Sequence, residues 1–312
     1  MFLIGNGPSL NKTPLYLLKD EYTMTFNRFD LLLERINWNP TFYSMVDGIV
    51  MQDTQKEIKQ MIEIVDSAFF FAFSMFDKID TSKCIPLHKN VCLMIPFSHH
   101  FFKDYFSTRL PLAIGNGGTV AHVALQILAY LGFSEIYIIG VDMNYIIHTN
   151  TDELKDKTLG IQSKADDDPN HFDVRYFGKG RKYHQPVPET IQKMKEKFQM
   201  AKNRLDSLNI RTFNVGYDSK VECFEKKDFY QALGYDEEKI DMLFEDLVIK
   251  NGYTDLANFN NDCKFIKTVE EWADSEKLQS LPASEAIKII KNKILTHLPL
   301  GPYKDKIYFL KR

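Results

Sequence analysis

With 312 residues, 44% hydrophobic and 26% charged, and a formal net charge of −3, the chain has a globular composition with room for one large core plus an appendage. The near balance of charge leaves no electrostatic footprint for nucleic acid, so no nucleic-acid partner is expected. Four scattered cysteines form no CxxC pair, which argues against a zinc site or disulfide framework and for a reducing cytoplasm.

The first predicted strand, Phe2–Ile4, ends in the turn Gly5-Asn6-Gly7-Pro8-Ser9. A helix is expected from about Leu10, with Ser9 as its cap. Strand, glycine turn, helix is the order by which an open α/β sheet builds a phosphate or nucleotide site. The third glycine of the dinucleotide fingerprint is absent, so an ordinary strand-to-helix turn also accounts for the stretch. Because the chain is expected to open on a core strand, no charged n-region followed by an apolar h-region is expected there.

Further strands are expected at Thr23–Phe26, Thr41–Val46, Ala68–Phe73, Cys92–Ile95, Glu135–Ile139 and Arg211–Asn214. Helical patterns at Thr54–Val65, Gly118–Leu131 and Pro188–Leu208 fall between several of them. This alternation predicts an α/β fold, a mostly parallel Rossmann-like sheet with helices on both faces. The Phe-rich run from Ser67 to Phe76 is too short to span a membrane, which takes about 18 apolar residues, and reads as a buried strand. The best-defined unit is Gly115–Asp142: a helix stops at Gly132, a strand follows, and Gly140-Val141-Asp142 puts an acid at the strand's carboxyl end.

Residues of about 145–183 dissolve into polar sequence, which predicts a long lid loop. Past about Gln231 the pattern changes to short helices, Asp236–Val248, Val269–Glu276 and Ala283–Leu295. The expected division is a nucleotide-sugar-binding α/β domain over 1–232 and a helical C-terminal extension over 233–312. The segment Ile287–Arg312 interleaves six lysines and one arginine with apolar residues. That composition suits contact with an anionic membrane surface, and a solvated helix packed on the core explains it as well.

Three segments converge at predicted strand ends: Gly5–Ser9, Asn27-Arg28-Phe29, and Gly115 through Thr119. Their candidate nucleotide residues are Gly5, Asn6, Gly7, Pro8, Ser9, Asn27, Arg28, Asn116, Gly117, Gly118 and Thr119, with Asp142 beside them. Backbone N–H groups at a helix start hold anions, and the amides of Asn6, Asn27 and Asn116 read a base, a ribose or a phosphate. Singly, each asparagine is an ordinary turn former. His184 lies where the lid rejoins a helix, a place suited to a base brought in on closure, and equally a surface histidine beside basic residues. His99-His100 and His171 have no carboxylates at ligand spacing, so no metal site is assigned. Asp166–Asp168 suits Mg²⁺ against a triphosphate, or simple solvation.

The order Gly-Asn-Gly-Pro-Ser, Asn27-Arg28-Phe29, Gly117-Gly118-Thr119, Leu131-Gly132-Phe133-Ser134-Glu135-Ile136-Tyr137, Gly140-Val141-Asp142 and a late histidine resembles the bacterial CMP-sialic acid-dependent sialyltransferases of the Campylobacter type, over roughly residues 1–215. The resemblance implies a glycosyltransferase A-type domain that is inverting and metal-independent, with no cofactor beyond the CMP-sugar donor. Asn6, Gly7, Ser9 and Asn27 would contact cytidine monophosphate, Gly117 to Thr119 would border the donor, His184 would be the general base, and the hydroxyls of Tyr145 and Tyr183 would steady the leaving phosphate. Two departures, Asn144 where that family has tyrosine and no arginine just before the glycine turn, extend the donor to other CMP-activated ulosonic acids. The implied partners are the donor and a glycan acceptor in surface-polysaccharide or lipooligosaccharide synthesis. The implied location is the cytoplasm or the inner face of its membrane, and self-association is allowed.

The stretch His171-Phe172-Asp173 through Tyr176-Phe177-Gly178-Lys179-Gly180 to His184 is similar to a broader family sharing the fold, which includes an archaeal 6-hydroxymethylpterin diphosphokinase. That resemblance implies the alternative, a Mg-ATP-dependent diphosphokinase with a pterin-like acceptor and Asp142 and Asp166–Asp168 as metal-binding acids. A second alternative is a non-catalytic nucleotide-binding protein.

Overall fold

The computed structural model describes residues 1–73, 80–97, 106–111, 113–115, 117–156, 160–236 and 238–239. Its frame is an eight-stranded sheet built from β1 (Phe2–Ile4), β2 (Thr23–Phe26), β3 (Phe42–Met45), β4 (Ala68–Ala72), β5 (Val91–Met94), β8 (Glu135–Ile139), β12 (Arg211–Asn214) and β13 (Glu225–Lys226). Two short strands, β6 (Pro96–Phe97) and β7 (Ile114–Gly115), pair beside it. Every pairing in the large sheet is parallel. Runs such as Phe2-Leu3-Ile4 are buried at every position, which is how a strand covered on both faces reads.

The strand order is β13-β12-β8-β1-β2-β3-β4-β5. From β1 the chain steps outward to β5, then returns to place β8 on the other side of β1, with Phe2, Leu3 and Ile4 in register with Tyr137, Ile138 and Ile139. The order therefore reverses between β1 and β8. Their carboxyl ends diverge there and leave the crevice in which open α/β sheets take ligands.

Helices α1 (Asp30–Leu33), α2 (Gly48–Asp53) and α3 (Gln55–Ile64) follow β2 and β3. Helix α4 (Val120–Tyr130) packs on β1, β2 and β3 and against α5 (Pro188–Ser207). Val120 through Leu128 are all buried, as expected of a helix apolar around its circumference. Thr119 caps α4 by accepting from the Ala121 N–H at 3.4 Å. Within α4, the buried Gln126 amide accepts from the N–H groups of Ser107 and Gly115, each at 2.8 Å, and donates to the Gly115 carbonyl. One side chain thus pins two loops beside the crevice.

Several expectations need correction. Pro8–Lys12 is a 3₁₀ helix rather than the start of an α-helix, and Ser9 does not cap it. The reason is a competing partner, since the Ser9 amide and hydroxyl both go to Asp142. The helix expected over Thr54–Val65 is preceded by a separate turn of helix, α2, capped by the Asp47 carboxylate. The lid is not an open loop. It folds into a three-stranded antiparallel sheet of β9 (Thr151–Glu153), β10 (Ile161–Ser163) and β11 (Lys182–Tyr183). A short α6 (Phe229–Ala232) closes the described fold, and the helical extension and its basic segment, save the first few residues, lie outside the described residues. Among the described residues no helix is long and apolar enough to cross a membrane.

Candidate active site in the switch-point crevice

The crevice begins with two backbone contacts. The Gly5 N–H donates to the Ile139 carbonyl at 2.8 Å and the Gly7 N–H to the Gly140 carbonyl at 2.7 Å, locking the β1 turn to the end of β8. A Cβ on Gly7 would fall inside the Asp142 carboxylate, so that position must be glycine for the two turns to close. Gly140 adopts φ +65, the left-handed region, and a side chain there would also strike Leu10.

Asp142 accepts from the Ser9 N–H at 2.9 Å and the Ser9 hydroxyl at 2.5 Å. Burial pushes its pKa above the ordinary carboxylate value, and the two Ser9 bonds offset only part of that. Asn6 donates to the Phe26 carbonyl at 2.9 Å, but its own buried amide oxygen has no partner. The amide oxygen of Asn27, which sits in the left-handed region at φ 53, is buried and unpartnered too. Both asparagines line one cavity of about 440 Å³, within the usual span of small-molecule sites.

The same cavity meets Gly118 and Thr119 at the start of α4, and Asp142 and Tyr145 beyond β8. Tyr183 and His184 enter it from the lid. Burial, with Asp142 and Asp168 nearby, pushes the Tyr145 phenol up to about 12. Burial likewise raises Tyr183, so both phenols keep their protons at neutral pH.

Other candidates are placed elsewhere. Gly5 is packed on Gly140, and Gly117 is packed on the His122 ring. Pro8 opens the 3₁₀ helix. Arg28 is buried and committed to Asp30 and to the Tyr176 carbonyl at 3.0 Å, so it holds the lid instead of lining the cavity. Asn116 lies outside the described residues. His184 is exposed and, among the described residues, has no carboxylate against it.

The lid supplies what the sequence reading missed. Asp168, 5% exposed, accepts from the N–H groups of Asn170 at 2.8 Å and Phe177 at 3.0 Å, and its other contact is His171 Nδ1 at 2.8 Å. Burial alone would raise the Asp168 pKa, but these bonds outweigh it and hold the carboxyl below its ordinary value. The His171 ring stacks on Tyr176 at 3.7 Å between centroids and meets Phe177 edge-on at 5.1 Å. Asp168, Asn170 and His171 all line the cavity. A buried carboxylate behind a packed imidazole is the arrangement that orients a general base.

The three consecutive acids therefore do different jobs. Asp166 accepts from the Lys179 N–H, Asp167 engages His148 and Asn150, and Asp168 engages His171. Among the described residues no three His, Cys, Asp or Glu side chains gather as a metal-binding group. The lid is tied down at several points: the Phe172 N–H donates to the Asn6 carbonyl at 2.9 Å, and Arg181 bonds the Asp53 carbonyl at 2.7 Å and the Glu57 carboxylate.

Residues 1–148 match the family model described as 6-hydroxymethylpterin diphosphokinase MptE-like. No curated protein matches the chain. Among solved structures, the MAf glycosyltransferase from Magnetospirillum magneticum AMB-1 is similar over 94% of this chain and 45% of its own, at 14% identity and a TM-score of 0.45. The chain thus spans less than half the length of that protein.

Proposed function

We propose that the chain is an inverting glycosyltransferase that seats the cytidine monophosphate of a CMP-activated ulosonic acid in the crevice between β1 and β8. Sialic acid or a close relative is the donor sugar, and a glycan hydroxyl in surface-glycan synthesis is the acceptor. One observation carries the reading: a single cavity is lined by two asparagines and a helix start on its sheet wall and by a carboxylate-backed histidine on its lid wall.

Asn6 and Asn27 line the cavity with buried amide oxygens that lack a donor, and a cytosine amino group or a ribose hydroxyl supplies one once the amides turn to the ligand. The backbone at Gly118 and Thr119, with the positive end of α4, suits the phosphate. Leaving phosphate requires charge stabilisation rather than covalent help, and the protonated Tyr145 phenol lies in reach of the same cavity. His171, oriented by Asp168, takes the proton of the acceptor hydroxyl as it attacks the anomeric carbon. His184, the histidine singled out by the family resemblance, enters the same cavity and is the competing base.

The test is a thermal-shift comparison of CMP, UDP and ATP, each with and without Mg²⁺. CMP without metal should raise the Tm; a ligand at a hundred times its Kd contributes about 2.7 kcal/mol. Stabilisation by ATP only with Mg²⁺ would overturn this reading in favour of a diphosphokinase, which the family match over residues 1–148 favours. CMP binding with no turnover of any CMP-sugar would leave a nucleotide-binding protein without chemistry.

A further inference from the structure

The lid holds a second histidine–aspartate pair. His148 is buried and does not line the crevice, but Tyr183 does, and the two are joined by a 2.6 Å contact between His148 Nδ1 and the Tyr183 hydroxyl. On its far side His148 Nε2 meets Asp167 Oδ1 at 2.8 Å, and the His148 backbone N–H donates to the Gln185 amide oxygen at 3.0 Å. The second Asp167 oxygen accepts from the Asn150 amide at 2.8 Å. Asp167 is 40% exposed, so an unbroken chain of hydrogen-bonding groups runs from the crevice through Tyr183 and His148 to solvent. Among the described residues, Tyr183, Asp167 and Gln185 are the groups hydrogen-bonded to His148, and Asp167 alone of them is charged.

The direction of these bonds follows from the donors. The Asn150 amide bond holds Asp167 below its ordinary pKa, with burial opposing and His148 adding to the effect, so the carboxylate is ionised and accepts. His148 Nε2 therefore carries a hydrogen. In a neutral ring Nδ1 is then an acceptor, and the Tyr183 hydroxyl must donate to it. Tyr183 lines the crevice, and in that state its hydroxyl hydrogen is spent on His148, so toward a ligand there it can only accept, which is wrong for a phosphate. A proton on Nδ1 reverses the bond: His148 donates to the Tyr183 oxygen, and the freed Tyr183 O–H turns to the crevice as a donor.

We infer that binding of a phosphate in the crevice takes up one proton at His148 and converts Tyr183 from acceptor to donor, so that the imidazolium, neutralised by Asp167, stabilises the leaving phosphate through Tyr183. The inference rests on the nucleotide reading of the crevice. The proton comes from bulk water, one N–H bond is made on Nδ1, and no bond between heavy atoms changes. Tyr183 touches the ligand, while His148 and Asp167 are positioning residues that act through it.

The experiment is isothermal titration of the full-length protein with CMP, and separately with inorganic phosphate, at pH 7.5 in buffers of differing ionisation enthalpy. The expected result is net proton uptake by the unaltered protein beyond that of Tyr183→Phe and His148→Gln, whose binding carries only the exchange of the ligand's own phosphate, since the proton count enters as a linked equilibrium. Tyr183→Phe keeps the ring that stacks on Phe177 at 4.2 Å, and it should bind ligand with the uptake reduced to the ligand's own exchange. His148→Gln should show the same reduction. Binding by the unaltered protein with no buffer dependence overturns the relay and leaves the nucleotide reading standing. Uptake in either variant equal to that of the unaltered protein also overturns it, by placing the proton on the ligand or elsewhere in the crevice. No heat and no Tm shift with either probe removes the nucleotide reading and the relay together.

Discussion

Replacing Gly7 by alanine is expected to destabilise the protein by about 2.5–6 kcal/mol, from overpacking at about 1–3 kcal/mol plus the equivalent of one lost charge-assisted hydrogen bond at about 1.5–3 kcal/mol. At a few degrees per kcal/mol for a domain of this size, the Tm should fall by roughly 10 °C. The backbone at Gly7 has φ −70 and ψ 160, which any residue adopts, so the effect is steric and not conformational. A methyl group there displaces the Asp142 carboxylate and approaches the Gly140 carbonyl to 2.9 Å. Moving Asp142 strands the Ser9 N–H and hydroxyl in a buried site. The same logic sets a double-mutant cycle with Asp142→Ala, measured by urea unfolding. Part of the Gly7→Ala cost should vanish once the carboxylate is gone, because the clash goes with it. Additive effects would show that the turn is not closed around Asp142, and the crevice geometry would have to be redrawn.

The sheet was legible because its strands advertise themselves. Phe2-Leu3-Ile4 and Glu135–Ile139 are apolar runs closed by glycine turns, and a strand buried on both faces cannot read otherwise. The reversal between β1 and β8 was legible only by implication, since strand order is a long-range property that no local pattern encodes. From the three segments expected to converge, Gly5–Ser9, Asn27–Phe29 and Gly115–Thr119, the cavity takes Asn6, Gly7, Asn27, Gly118 and Thr119, with Asp142 beside them. Arg28 was misplaced because a cation next to a strand end suits a phosphate on chemistry alone. Its real partners, Asp30 and the Tyr176 carbonyl, include one 148 residues away. The lid was the largest loss. Its strands are two or three residues long and half exposed, below the length at which alternation is visible. Asp166-Asp167-Asp168 read as a charge run, yet the backbone turns each carboxylate to a different partner. The spacing of Asp168 and His171, three residues apart across Pro169, was the available signal for the dyad.

His171→Ala is expected to lower kcat by about 10²–10⁴-fold, the span of a lost general base, while the KM for the donor changes little. In the proposed reading the donor's nucleotide sits on the sheet wall and His171 meets the acceptor from the lid, so ground-state binding and proton removal fall to different elements lining one cavity. Asp168→Asn separates orientation from basicity. The single amide oxygen, set at the Oδ2 position, keeps the Phe177 N–H and His171 but gives up the Asn170 N–H that Oδ1 holds, and it no longer balances an imidazolium, so kcat should fall at a modest cost in lid stability. Asp168 also ties the site to acid stability. Its folded-state pKa is depressed, so its stabilisation is fully present above the unfolded carboxylate value near 4 and is lost as pH falls through the folded value. Asp168→Asn should flatten that acid-side loss in a series of urea melts between about pH 5 and pH 2. His184→Ala is the counter-test, because His184 lines the same cavity and among the described residues has no carboxylate behind it. If His184→Ala removes turnover and His171→Ala does not, the exposed histidine is the base and the Asp168–His171 pair serves only to fasten the lid. If His171→Ala removes it, the geometry of the pair has selected the base where chain position alone had favoured the other.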